Sequence, residues 1–194
     1  MTDYISSSAI RDYFSVMDTQ PFVYHYDDVD VIIKNIPLGE TDIRFDTLRG
    51  GNTPSYMFVG VIPQKCLMGD LEQSSTGFHA NMVNEMNITY NGNSVNGYPI
   101  KIDDASPVYP LHKFNDTINK MCNITSGSGF TPQEFNGNFI WSHHFEAEST
   151  TSGWLGINFK LKTGFSTSHS LVVWLVNPTT IAVDKFHIVE KLNN

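Results

Sequence analysis

Cysteine is nearly absent. The 194-residue chain contains only Cys66 and Cys122, which excludes a disulfide framework and makes reduced thiols the expected state. Charge is scarce as well: Asp, Glu, Lys and Arg together make up 16% of the residues, below the roughly one quarter usual in soluble domains. The 12 basic residues stand singly or in loose pairs such as Lys160 and Lys162, and the formal net charge is −8. A duplex binder needs a basic face to displace phosphate counterions, so no direct sequence-specific nucleic-acid binding is expected. No run approaches the roughly 20 apolar residues of a membrane span. Met1 to Gln20 carry acidic residues and no apolar stretch behind a basic one, so no signal peptide is expected and synthesis is assigned to the cytosol. The sequons at Asn87, Asn115 and Asn123 would then never meet the glycosylation machinery.

What the chain has instead is apolar and hydroxyl-rich strand material. Hydrophobic residues reach 40% and aromatics 12%, enough for one domain to bury a substantial core without staples. Residues 1–20 read as a polar arm or lead-in, with at most a short helix from Ser8 to Met17. From residue 21 to 194 the texture is that of a single β-domain. Phe22 to Tyr26 and Val29 to Ile33 are β-branched or aromatic runs of strand length, and Ile43 and Phe45 alternate as a half-buried strand does. Arg49-Gly50-Gly51-Asn52-Thr53-Pro54 reads as a turn. Tyr56 to Ile62 is an almost continuous apolar run, expected to be a strand buried on both faces. Residues 64–80 read as a loop. Val83 to Tyr90 is a mixed strand closing on Asn91-Gly92, a strong hairpin signal, with Val95 to Ile102 returning.

One segment has helical spacing. Between Pro110 and Thr125, the residues Leu111, Phe114, Ile118, Met121 and Cys122 recur at intervals of three and four. Four more strands follow at short spacing: Asn138 to Phe145, Trp154 to Leu161, Ser170 to Val176 and Thr180 to Val189. Some eight short strands, no alternation with helices and no internal repeat predict an all-β fold, an antiparallel eight-stranded jelly-roll sandwich with one short helix in a loop.

Chemistry is hard to place on this chain. His143-His144 with Glu146 and Glu148 is the best metal candidate, but neighbouring strand residues point to opposite faces, so the two imidazoles are not expected to share an ion. The spacing of a cupin metal site is missing. Cys66 follows Lys65 in a loop and Cys122 lies on the apolar helix face, neither with a motif that activates a thiol. Asp27-Asp28 and Asp103-Asp104 lack calcium-loop spacing and read as solvated turns. Gly50-Gly51 has no phosphate-loop signature. Trp141, Trp154 and Trp174 all fall in strands; exposed together they would form a sugar-stacking platform, and otherwise they are core. No catalytic, cofactor-binding or metal residue is assigned, no cofactor is expected, and the chain is not expected to be an enzyme.

Read in order, the chain resembles the second jelly roll of the double-jelly-roll major capsid proteins of the polinton and adintovirus group. Four stretches carry the likeness: Gly51 to Pro63; Gly77-Phe78-His79 through Glu85-Met86-Asn87-Ile88 and on to Tyr98-Pro99-Ile100; Gly137 to Phe145; and Gly153 to Phe159 with Leu171 to Val189, including Ala182-Val183-Asp184-Lys185. Two features depart from that pattern. The family protein holds two jelly rolls where this chain has room for one, and its Asn-Pro-Phe is replaced by Ser75-Thr76-Gly77-Phe78. The resemblance implies a structural subunit of a virion capsid. Its partners would be other capsid subunits, in a trimer or hexamer, or a separately encoded first half. A carbohydrate-binding jelly roll is the alternative, and it would need exposed aromatics gathered on one concave face.

Overall fold

The computed structural model describes residues 21–69, 83–102, 108–137, 140–145, 152–183 and 188–192. Ten strands and three helices follow in the order β1 (Phe22–Ile36), β2 (Asp42–Gly51), β3 (Tyr56–Pro63), α1 (Gln64–Leu67), β4 (Val83–Tyr90), β5 (Asn93–Ser94), β6 (Ile100–Lys101), α2 (Val108–Cys122), α3 (Pro132–Gly137), β7 (Trp141–His144), β8 (Gly153–Leu161), β9 (His169–Val183) and β10 (Val189–Leu192). The first sheet runs β1-β9-β3-β7, with β10 also on β9; the second runs β2-β8-β4-β5, with β6 also on β4. Consecutive strands therefore alternate between sheets at the start of the chain, and the late strands β8 and β9 insert between early ones. That interleaving is the jelly-roll order.

The chain divides into two compact units, Val29–Val176 and a smaller one of Met1–Asp28 with Asn177–Asn194. In the larger unit the core is built by strict alternation. Met57, Val59 and Val61 of β3 stand opposite Leu175, Val173 and Leu171 of β9. All six are buried, in one cluster with Ile43, Met86, Ile88, Leu155, Ile157, Phe159 and Leu161 of the second sheet. Each such side chain contributes about 1.5–3 kcal/mol when taken from water. The remaining row of β3 is also covered: Phe58 packs edge-on to Phe114 of α2 at 6.1 Å, and Ile62 joins Cys66 and Val172 in a second cluster. The continuous apolar run of β3 is thus buried on both faces, as its composition predicts. In the smaller unit β10 pairs antiparallel with the end of β9, from Val189 opposite Val183 to Leu192 opposite Thr180. His25 Nδ1 lies 3.0 Å from Thr180 Oγ1.

Several expected boundaries shift. The two runs at Phe22 and Val29 form one strand, so Asp27-Asp28 sit within β1 rather than in a turn. The strand at Ile43 continues through Gly51, which faces Gly153 on β8; the turn begins only at Asn52. Residues 64–67 form α1 instead of loop. The returning strand expected over Val95 to Ile102 is split into β5 and β6, both on β4. Asn177-Pro178 does not interrupt β9. Val176 is the last residue paired with β3 and Thr180 the first paired with β10, so the proline, which has no N–H to donate, falls between those two ladders. The single expected helix is α2, ending at Asn123 in the left-handed region at φ 52°. Its buried face uses Leu111, Phe114 and Thr117. Cys122, assigned to that face by spacing, is exposed.

Candidate functional site

The sequence candidates among the described residues land in separate environments. On β7, His143 stands opposite Met57 and His144 opposite Tyr56, so the two imidazoles leave the strand on opposite faces. His143 meets Phe145 edge-on at 4.6 Å. Burial, followed by the charges of Lys113, His144 and Lys120, lowers its pKa to about 4. His144 lies over Tyr56 at 5.1 Å, and the Lys120 ammonium approaches its Nδ1 at 3.5 Å. An ammonium only donates, so this contact requires Nδ1 to accept, which the ring does only when it is neutral with its proton on Nε2. A cation already at that nitrogen disfavours a second, metallic one. Glu146 and Glu148 lie outside the described residues, as do Asp103-Asp104. Among the described residues no three His, Cys, Asp or Glu side chains gather in a metal-holding group.

The thiols are equally dispersed. Cys66 is buried against Ile62 and Val172, Cys122 is exposed at the end of α2, and neither is in a disulfide. Gly50 lies beneath an indole: a Cβ there would stand 2.7 Å from Cζ3 of Trp154, so its role is close packing on the paired strand. The tryptophans do not share a face. Trp141 is 1% exposed in the core, Trp174 packs beside Ile62 and Val172 on the other side of the first sheet, and Trp154 is 60% exposed on the second.

Four of the basic side chains are matched locally. Arg44 pairs with Asp42 at 3.0 Å, Arg49 with Asp30 at 2.9 Å, Lys120 with Asp116 at 3.3 Å and Lys160 with Glu85 at 2.9 Å. The Arg44 guanidinium holds the Asp42 carboxyl below its usual range. Each of these four cations lies beside a carboxylate. None of the described helices is long and apolar enough to cross a membrane.

The residues that composition alone does not single out are surface apolar ones. Val29, Val31 and Ile33 of β1 are 48, 52 and 51% exposed, whereas Ile32 packs on the core and Ile36 lies in it. Their period-two spacing, Val-x-Val-x-Ile, is visible in the sequence, but only the structure reveals which of the two faces is solvated.

No protein-family model matches the chain, and no curated protein matches it in sequence. Solved structures do match in fold. A chain in the cryo-EM structure of the Sputnik virophage superposes over 89% of this chain and 39% of its own, with 11% identity and a TM-score of 0.58. The mavirus major capsid protein covers 98% of this chain and 44% of its own, at 8% identity and a TM-score of 0.51. VP54 of PBCV-1, fitted into a reconstruction of Sputnik, covers 98% and 55%, at 12% identity and a TM-score of 0.53. The chain thus spans from two fifths to just over half the length of the chains it resembles. Together with its interleaved strand order, this identifies the fold as a single jelly roll of the kind found in those capsid structures.

Proposed function

We propose that the chain is a structural capsid module of a DNA virus or virus-derived element, without enzymatic activity, acting through assembly. The observation that carries this reading is the strand order β1-β9-β3-β7 against β2-β8-β4-β5, superposed almost end to end on about half of a mavirus major capsid protein. Residues 21–194 form the module. Its partners are other capsid subunits, as a trimer or hexamer of single jelly rolls or with a separate first half, and its site of action is the virion shell. Burial of apolar and aromatic surface between neighbours supplies the affinity in such assemblies.

Light scattering over a concentration series, with negative-stain microscopy, tests this. Trimers or hexamers of roughly hexagonal outline support it. A protein that stays monomeric at high concentration and is retained on a glycan array, with retention lost in Trp154→Ala, overturns it in favour of the carbohydrate-binding reading.

A further inference from the structure

β1 closes one end of the first sheet, with β9 as its strand partner among the described residues. Such an edge presents unpaired N–H and C=O groups, which natural proteins blunt with proline, a bulge or charged side chains, inward-pointing ones included, and on β1 only the charges are present. Here Pro21 and Pro37 lie just outside the strand, and the one lysine within it, Lys34, is half-buried. The side chains of β1 are distributed against the usual pattern. The row facing the core holds Asp30, Ile32, Lys34 and Ile36, while the solvated row holds Val29, Val31 and Ile33. Asn35 confirms which row faces out: it accepts from Ser170 Oγ at 3.3 Å, and Ser170 stands opposite Ile62, which belongs to the cluster on the non-core side.

We infer that the exposed edge of β1 pairs antiparallel with β1 of a second copy about a two-fold axis at Val31. The charge pattern selects that occupant. With Val31 opposite Val31 of the second copy, Val29 meets Ile33, so the apolar row continues unbroken across the pair. Asp28 then faces Lys34, Asp27 faces Asn35 and Asp30 faces Ile32, so no carboxylate meets another. Sliding the partner by two residues in one direction sets Asp30 against Asp30; sliding it in the other places Val29 against Asn35. Opposite charges directly across a strand pair stabilise it and like charges do the reverse. The contact is isologous and so closes at two copies. It goes beyond the capsid reading, since it requires only the strand and its exposure.

The test uses cysteine cross-linking of the full chain in a Cys122→Ser background. Val31→Cys is expected to form a disulfide-linked dimer on mild oxidation at least tenfold faster than Val29→Cys, which has Ile33 across from it. Val29→Cys mixed with Ile33→Cys is expected to cross-link as a heterodimer. Asp28→Lys and Lys34→Asp should each abolish the dimer by light scattering, and the double reversal should restore it, which a fold defect would not do. Equal cross-linking at Val29 and Val31, or no recovery in the double variant, overturns the inference. Trimers or hexamers without Val31 cross-links would sink the β1 contact and leave the capsid reading standing. β1-linked dimers that never build larger capsomers would do the opposite.

Discussion

Ser142 Oγ donates to Thr117 Oγ1 at 3.0 Å, a fully buried contact that joins β7 to α2. Thr117 donates in turn to the Lys113 carbonyl at 2.9 Å, so the hydroxyls form a short relay that ends on helix backbone. Replacing Ser142 by Ala is expected to cost about 1 kcal/mol, the net worth of one neutral hydrogen bond. Adding Thr117→Val to that variant should cost little more, because both polar partners are then gone. Urea titrations of the single and double variants measure the coupling.

Acidification should weaken the fold through His143. Its pKa falls from 6.5 to about 4 because burial, then Lys113, His144 and Lys120, disfavour the imidazolium. The unfolded chain therefore takes up a proton at higher pH than the folded one. The contribution to stability is full above pH 6.5 and drains away as the pH drops toward 4, reaching on the order of 3 kcal/mol. The melting temperature followed from pH 7.5 to 4.5 should fall, and His143→Phe should flatten that slope.

Removing a neighbouring cation should move the same titration modestly. In Lys120→Met, the His143 pKa is expected to rise toward its ordinary value yet stay well below it, since burial is the larger cause. NMR titration of the imidazole protons reads this directly. A full return to the ordinary value would mean that charge, not burial, governs the site.

Gly156 on β8 is held by contact, not by conformation. A Cβ there would lie 2.7 Å from Thr89 Oγ1 and 2.8 Å from the Asp46 carbonyl oxygen, beside the register shift between Phe45 and Arg49 of β2. Gly156→Ala is expected to destabilise by about 1–3 kcal/mol through overpacking, visible as a lower urea midpoint with unchanged slope.

Two tryptophans should respond oppositely to truncation. Trp141→Ala empties a core position and is expected to cost about 3–5 kcal/mol. Trp154→Ala removes a solvated ring resting on Gly50 and should cost about 1 kcal/mol or less. Thermal unfolding of the two variants side by side separates the buried role from the surface one.

The sequence reveals strand material well and its partners poorly. The alternation through Met57, Val59 and Val61 and the Asn91-Gly92 turn, with φ 52° and 80°, locate β3 and the β4–β5 hairpin. Joining Phe22–Tyr26 to Val29–Ile33 across Asp27-Asp28 depends on pairing with β9, a long-range fact that local propensity does not contain. Cys122 misleads because helical spacing continues into the last turn, where α2 presents this side chain to solvent; Thr117 is missed because a hydroxyl counts as polar until Ser142 satisfies it. At the candidate sites, strand alternation alone separates His143 from His144, whereas the scattering of the three tryptophans needs the register.

The interleaved strand order also sets a timetable. β1 needs β9, β2 needs β8, and β3 needs β7 and β9; before residue 141 is made, the pairings open to the described strands are those of β4 with β5 and β6. A chain two thirds synthesised therefore carries β1, β2 and β3 with bare edges and no sheet to join. Contacts this distant in sequence make folding slow, and exposed strand edges during that delay favour aggregation. Yield in a heterologous host should thus respond to translation speed and temperature more sharply than to changes in final stability.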